Sequence, residues 1–469
     1  MPTRAILAFS VLSFLSFTTV ARAENDRLVL VSPHWEGIRY EYERAFQRHY
    51  RAQTGRDVDV EWLSIGGTSD ILRYVRSEYG RRPEGIGIDV FFGGGMDPYL
   101  QLAGLNLLRP YKLPDDALSR VAREIGGLPI YDPEYRWYGA ALSGFGILYN
   151  RVVLRLLHLP EPKAWADLGD PRLFSWVGSG DPRGSGAVHM AYEIVLQAYG
   201  WEKGWEALTR MGGNVRNFVA GSGQTPKDVT VGEVAYGMSL DFYAAIQIAE
   251  AGADKIGYVS PKGQTAINPD AIGILKGAPH LSVAEAFVKF VMSEAGQKLL
   301  MLRVGAPGGP TRYELRRFCV IPDLYAQVAG LSDVADNPFL WETGLRYDSA
   351  KGAKRWNVLN DLIGVMLIDS HAQLSVAWKR LLREGVTPEG LGRLAAMPVS
   401  EAEALALADR WKDAEFRGRT LSAWTAFARE KYGGAQEDRG TSWADALTLT
   451  FSAALTAGMV VYMWKNRRT

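Results

Sequence analysis

The chain reads as an α/β protein: two successive α/β blocks followed by a helical tail. Three observations predict this. Strand-like and helix-like segments alternate over roughly the first hundred residues, glycine-rich turns follow the strands, and the stretch beyond about Leu331 carries helical spacing. Arg27 to Ser32 (LVLVS at its centre) is a buried strand ended by Pro33-His34. A helix follows to about Arg51, with Ile38, Tyr42 and Phe46 four apart on one face, and Thr54-Gly55 closes it. Asp57 to Leu63 alternates Val58, Val60 and Trp62 against Asp59 and Glu61, a second strand. After Gly66-Gly67, Thr68 or Ser69 caps a helix that runs to about Tyr79. Ile88 to Phe92 is a third strand. Gly93-Gly94-Gly95 and then Asp97-Pro98 open another helix, with proline where its missing N–H costs nothing.

This order predicts an open sheet of largely parallel strands. Ligands in such sheets sit at the carboxyl ends of strands, beside the helix starts that follow. The turns Ser32–Trp35, Ser64–Ser69 and Gly93–Asp97 are therefore candidate ligand loops. Ala140 to Asn150 (ALSGFGILYN) is a long extended strand leading to the second block. That block holds a helix from Gly186 to Tyr199, a strand from Val234 to Leu240 and a helix from Phe242 to Ala251. Pro269 to Leu275 is a further strand and Ser282 to Met292 a strong helix. Helical spacing returns over Ala353–Ile368, Ser400–Trp411 and Leu421–Tyr432.

Composition bounds the function. The 469 residues suffice for two or three domains; 47% hydrophobic and 22% charged residues is globular usage. A net charge of +1 gives no nucleic-acid footprint. A single cysteine, Cys319, excludes an internal disulfide and cysteine-based zinc or iron–sulfur sites, and is expected to be buried and inert. No nucleophile-elbow, zincin or P-loop pattern occurs, and the six histidines (His34, His49, His158, His189, His280 and His371) form no spaced pair on one helix. The N-terminus has Arg4, an apolar run from Ala5 to Val20 and Ala21-Arg22-Ala23, a secretory leader over 1–23. The segment from Ala446 to Trp464 is nearly uncharged and is followed at once by Lys465, Arg467 and Arg468. That spacing predicts one transmembrane anchor over 445–464 with its basic flank in the cytoplasm, and so an extracytoplasmic body.

The order of these pieces resembles type II periplasmic solute-binding proteins, the receptor subunits of ABC importers, and within them the ferric-iron and small-anion receptor group. The leader, LVLVSPHWEGIRYEYERAF, GILYN, PRGSGA, GEVAYGMSLDFYA and AEAFVKFVMSEAGQKLL carry the resemblance over Leu28 to Leu302. It implies two lobes joined by hinge crossovers, a ligand buried between them, and permease and ATPase partners. The expected organisation is lobe one over 24–140, lobe two over 141–240, lobe one again over 241–330, and a helical extension over 331–440 packed against lobe one. No catalysis, resident cofactor or nucleic-acid partner is expected.

Ser185-Gly186-Ala187 is the leading anion site, because free N–H groups at a helix start carry partial positive charge. The resemblance strengthens it, since ferric receptors hold an anion at a similar S-G-A segment. Gly67 and Thr68, Gly94, and Ser222 within Gly221-Ser222-Gly223 supply further N–H and hydroxyl donors. The resemblance also makes Tyr243 and His34 candidate Fe(III) ligands, although Phe242 stands where the first of two adjacent tyrosines is usual. Asp241 is a partner for a cationic group or a helix cap, and Glu36 a further oxygen donor. The expected ligand is ferric iron with a synergistic anion, or a small phosphate or phosphonate. A polyamine or thiamine-like cation, a ligand-binding sensor or scaffold, and an extracytoplasmic hydrolase stand as alternatives.

Overall fold

The computed structural model describes residues 25–433, apart from 335, 342 and 343. The leader over 1–23 and the anchor over 445–464 lie outside the described residues. Among the described residues no helix is long and apolar enough to cross a membrane.

Lobe one begins with β1 (Asp26–Val31), α1 (Glu36–Thr54), β2 (Val58–Leu63), α2 (Thr68–Arg81), β3 (Val90–Phe92) and α3 (Asp97–Gly104). The apolar face read from the sequence is the one α1 buries, through Ile38, Tyr42 and Phe46, and Gly55 ends the helix at a φ of 73°. β2, β1 and β3 are parallel neighbours in that order. The long strand β4 (Tyr138–Asn150) is buried throughout and belongs to both lobes. Its first half pairs with the returning strand β9 (Ile267–Leu275) in lobe one.

Lobe two forms on the second half of β4. It comprises β5 (Val177–Gly180), α4 (Gly186–Tyr199), α5 (Trp201–Asn214), β6 (Val215–Val219), β7 (Tyr236–Leu240), α6 (Asp241–Ala251) and β8 (Ile256–Val259). β7 and β8 both run antiparallel to residues 145–150 of β4. The handover falls at Gly144, the last β4 residue paired with β9, and Phe145, the first paired with β7. Two expectations change here. β9 is antiparallel to both β3 and β4, so parallel pairing is confined to each lobe's outer strands. The hydrogen bonds of β8 also keep residues 241–259 in lobe two, and lobe one resumes only at β9. After β9, α7 (Leu281–Met292) and α8 (Glu294–Met301) cover the lobe-one sheet through Val283, Phe287 and Phe290. Cys319 is buried, and burial pushes its thiol up to about 12.

The extension folds as α9 (Ser349–Ile363), a π-helical turn over Gly364–Asp369, α10 (His371–Glu384), α11 (Pro388–Ala395), α12 (Glu401–Leu407) and α13 (Ala414–Gly433). It packs chiefly on lobe two, not lobe one as expected. The cause is the face of α5, where Gly213 lets the Trp378 ring approach so closely that a Cβ would lie 2.5 Å from it. The Trp378 indole N–H donates to Asn214 Oδ1 at 2.8 Å, and that of Trp201 donates to the Val399 carbonyl at 3.1 Å. Trp356, Trp378 and Trp424 are all nearly inaccessible. Between α4 and α9 lies a fully buried ion pair, Glu193 with Arg355 at 2.7 Å. Beside it the His189 ring stacks on Trp356 at 3.7 Å and its Nδ1 sits 2.7 Å from Asn360 Oδ1; burial pushes its pKa down to about 4, so the ring is neutral at pH 7.

Candidate functional site: the inter-lobe cleft

The three loops that end β1, β2 and β3 meet two loops of lobe two around a cavity of about 480 Å³. The lobes touch across it. A Cβ on Gly67 would lie 1.8 Å from the Gly184 carbonyl oxygen, and one on Gly186 would lie 2.8 Å from Thr68 Cβ. Ser69 Oγ donates to the Pro182 carbonyl at 3.3 Å. Glycine at 67 and 186 is therefore what allows α2 of lobe one and α4 of lobe two to start side by side.

Each of these helix starts leaves N–H groups without intrahelical partners and carries partial positive charge. Ser185 caps α4 by accepting from Val188 N–H, and the Asp70 carboxylate accepts from Gly67 N–H and from Arg73. Asp70 is thus neutralised locally, although it lines the cavity. Trp35, Phe145, Met190, Leu240 and Phe242 give the remaining wall an apolar character.

Opposite the helix starts lies a charged group that sequence reading misses. Asp270 Oδ2 is 2.7 Å from Arg317 Nη2 and 2.9 Å from His34 Nε2, and Oδ1 accepts from Gly95 N–H at 3.0 Å. Arg317 Nη2 also donates to Ser143 Oγ at 2.8 Å. Burial opposes a charge on Asp270, yet Arg317, His34 and the Gly95 N–H together hold its carboxyl far below the usual range. Burial likewise outweighs Asp270 at His34 and lowers the imidazole pKa. Arg317 is only 3% exposed; its Nε, like His34 Nδ1, has no hydrogen-bond partner among the described residues. Its guanidinium carbon also stands 4.6 Å over the Phe242 ring. Arg317 reaches the cleft because Phe318 bridges to Leu142 of β4, far from it in sequence.

The structure brings His34, Gly67, Thr68, Gly94, Ser185, Gly186, Ala187, Ser222 and Tyr243 around this one cavity. Asp241 is not part of the lining. Its carboxylate accepts from Gly144 N–H at 2.7 Å and from Phe242 N–H at 2.7 Å, and burial raises its pKa to about 7. It fastens α6 to the crossover strand where the lobes hand over. Burial raises the Tyr243 phenol pKa, with Arg317 and Ser222 opposing. Glu36 is outside the lining and lies 3.3 Å from the Tyr313 hydroxyl, which donates to it. Among the described residues no three His, Cys, Asp or Glu side chains gather as a metal cluster.

The extension grips both cleft loops from behind. The Tyr347 hydroxyl donates to Asp97 Oδ2 at 2.7 Å, two residues past the Gly95 that lines the cavity. Arg183, beside Gly184 and Ser185, pairs with Asp369 at 2.9 Å. Asp97 is buried, its Oδ1 has no partner among the described residues, and burial raises its pKa to about 7.

Two lobes, crossover strands and a lined cleft between them define the type II periplasmic-binding-protein fold. Residues 88–312, a little under half of the chain, match the model of the bacterial extracellular solute-binding protein family. The chain is similar to the phosphoglycerate transport regulatory protein PgtC of Salmonella typhimurium, 30% identical over 160 residues that cover 34% of this chain and 39% of that protein. It therefore spans about two fifths of that relative's length. It is 26% identical to the Fe(3+)-binding periplasmic protein of Serratia marcescens over 304 residues, covering 63% of this chain and 82% of that one. Its fold matches the periplasmic binding protein AfuA of Actinobacillus pleuropneumoniae, solved with fructose-6-phosphate bound. That match has a TM-score of 0.58 at 20% identity and covers 77% of this chain and 100% of the other. The fold and the matched family model are those of solute-binding proteins.

Proposed function

We propose that this protein is the extracytoplasmic receptor of an ABC-type importer and that its cleft takes a small organic phosphate. The carrying observation is the convergence of two helix starts, at Thr68 and Gly186, on one cavity. The phosphoryl group lies between them, where unpaired N–H groups and the Ser185 and Ser222 hydroxyls supply donors without a metal. The carbon body extends along Trp35, Phe145 and Phe242 toward Asn268, Asp270 and Arg317, which bind hydroxyl or carboxylate groups. A cavity of about 480 Å³ suits a ligand of that size better than a lone ion. The leader and the C-terminal apolar segment, read from the sequence, support a receptor held outside the cytoplasm on a membrane tether.

Ferric iron with an anion is the second reading, favoured by the name of the Serratia relative. Two features weigh against it. His34 Nε2 is already engaged by Asp270, and a buried guanidinium faces Phe242, where a trivalent cation would be repelled. Thermal unfolding of the purified protein against sugar phosphates, phosphoglycerates, phosphonates, Fe(III)-citrate, polyamines and thiamine separates these. A ligand at about 100 times its Kd stabilises by roughly 2.7 kcal/mol. Organic phosphates are expected to raise the midpoint by several degrees. A response to Fe(III) alone, or to the cations alone, would overturn the phosphate reading.

A further inference from the structure

Behind the cleft, a second and larger open groove of about 1120 Å³ runs along the seam between α2 and α3 of lobe one and the extension, with Arg183 of lobe two at its edge. Six basic side chains line it, Arg73, Arg76, Arg183, Lys354, Lys412 and Arg417, against two carboxylates, Asp361 and Asp409. Those carboxylates are already engaged. Asp361 accepts from Arg417 and from the Trp411 indole, and Asp409 pairs with Lys354. Arg73 and Arg183 are held by Asp70, Asp181 and Asp369.

Arg76 and Lys412 are different. Neither has an ion-pair or hydrogen-bond partner among the described residues, and Arg76 is half-buried. Burial alone moves the Arg76 pKa, downward, with no nearby carboxylate compensating. A buried donor lies on the same wall: the Gln101 side-chain amide nitrogen has no acceptor among the described residues. A buried donor without an acceptor is costly, and so is a desolvated cation without a counter-charge. The three come from α2, α3 and the extension and include two cations, which suits an acceptor that carries more than one charge.

We propose that this seam groove is a second ligand site, for a multivalent oxyanion of the pyrophosphate or tripolyphosphate type. Arg76 offers a planar donor fork to one phosphoryl group and Lys412 a point charge to another, with Gln101 donating between them. A ligand held this way ties lobe one to the extension and reinforces the Tyr347–Asp97 contact along the same seam.

Calorimetric titration of the full chain with tripolyphosphate, at low ionic strength, tests this in the wild type, Arg76→Ala and Lys412→Ala. Each substitution is expected to weaken tripolyphosphate binding at least tenfold, and added salt to weaken it further. Equal affinity in all three proteins would overturn the proposal, because the ion would then be using the cleft. No heat in the wild type would also overturn it. Lys412 is exposed, so its variant carries the test if Arg76→Ala unfolds. The readout compares groove variants only, so it stands whether or not the cleft responds to organic phosphates.

Discussion

Arg317→Met is expected to cost about 3–5 kcal/mol of folding stability, because it leaves the buried Asp270 carboxylate without its principal counter-charge. The loss is not that of one hydrogen bond. Asp270 is held ionised against its burial by Arg317, His34 and the Gly95 N–H, and Arg317 contributes most of the three. The Ser143 hydroxyl loses its donor at the same time. Ligand response should vanish with the fold restored by low temperature, since the cavity then carries an uncompensated negative charge opposite the anion seat. The double variant Arg317→Met, Asp270→Leu should recover much of the stability and none of the binding. Denaturant unfolding of the three proteins checks this; a single variant as stable as wild type would show that the pair does not organise the cleft.

Arg355→Met should be of similar size, about 3–5 kcal/mol, at a site remote from the cavity lining. Arg355 and Glu193 are both inaccessible and join α9 to α4. Arg355 also reaches Glu401 at 2.6 Å, so its removal loosens α12 as well. The extension shares one continuous apolar core with lobe two and part of lobe one, so unfolding should remain a single transition with a lower midpoint. Glu193→Leu combined with Arg355→Met should be more stable than Arg355→Met alone. If the double variant is the less stable, an unpaired Glu193 carries no burial penalty and this explanation of the loss is contradicted.

The local elements are legible in the sequence because their periods are strong. The four-residue spacing of Ile38, Tyr42 and Phe46, the alternation of β2 and the long uncharged stretch of β4 each report a burial pattern that the structure adopts. The loops around the cleft are legible for the same reason, since glycines and hydroxyls cluster where strands end. What depends on distant pairing is not. Asp270 sits inside an apolar strand, where a lone carboxylate is a visible anomaly that signals a buried partner. Its partner Arg317 has no local signature, because a single bridge between Phe318 and Leu142 delivers it. Asp241 looks like a ligand group and instead fastens the crossover, which becomes visible only once Gly144 is placed beside it. The extension's choice of lobe two rests on the Gly213–Trp378 approach, another long-range fit.

The central claim is that the cleft seats a phosphoryl group between the starts of α2 and α4. Calorimetry with matched pairs, a sugar phosphate or phosphoglycerate and the same compound without its phosphate, tests it most directly. The account predicts tight binding of the phosphorylated member and at least a hundredfold weaker binding of the other, with the difference reduced in Ser185→Ala. Equal affinity for both members, or tight binding of Fe(III) with no phosphate compound bound at all, would contradict it.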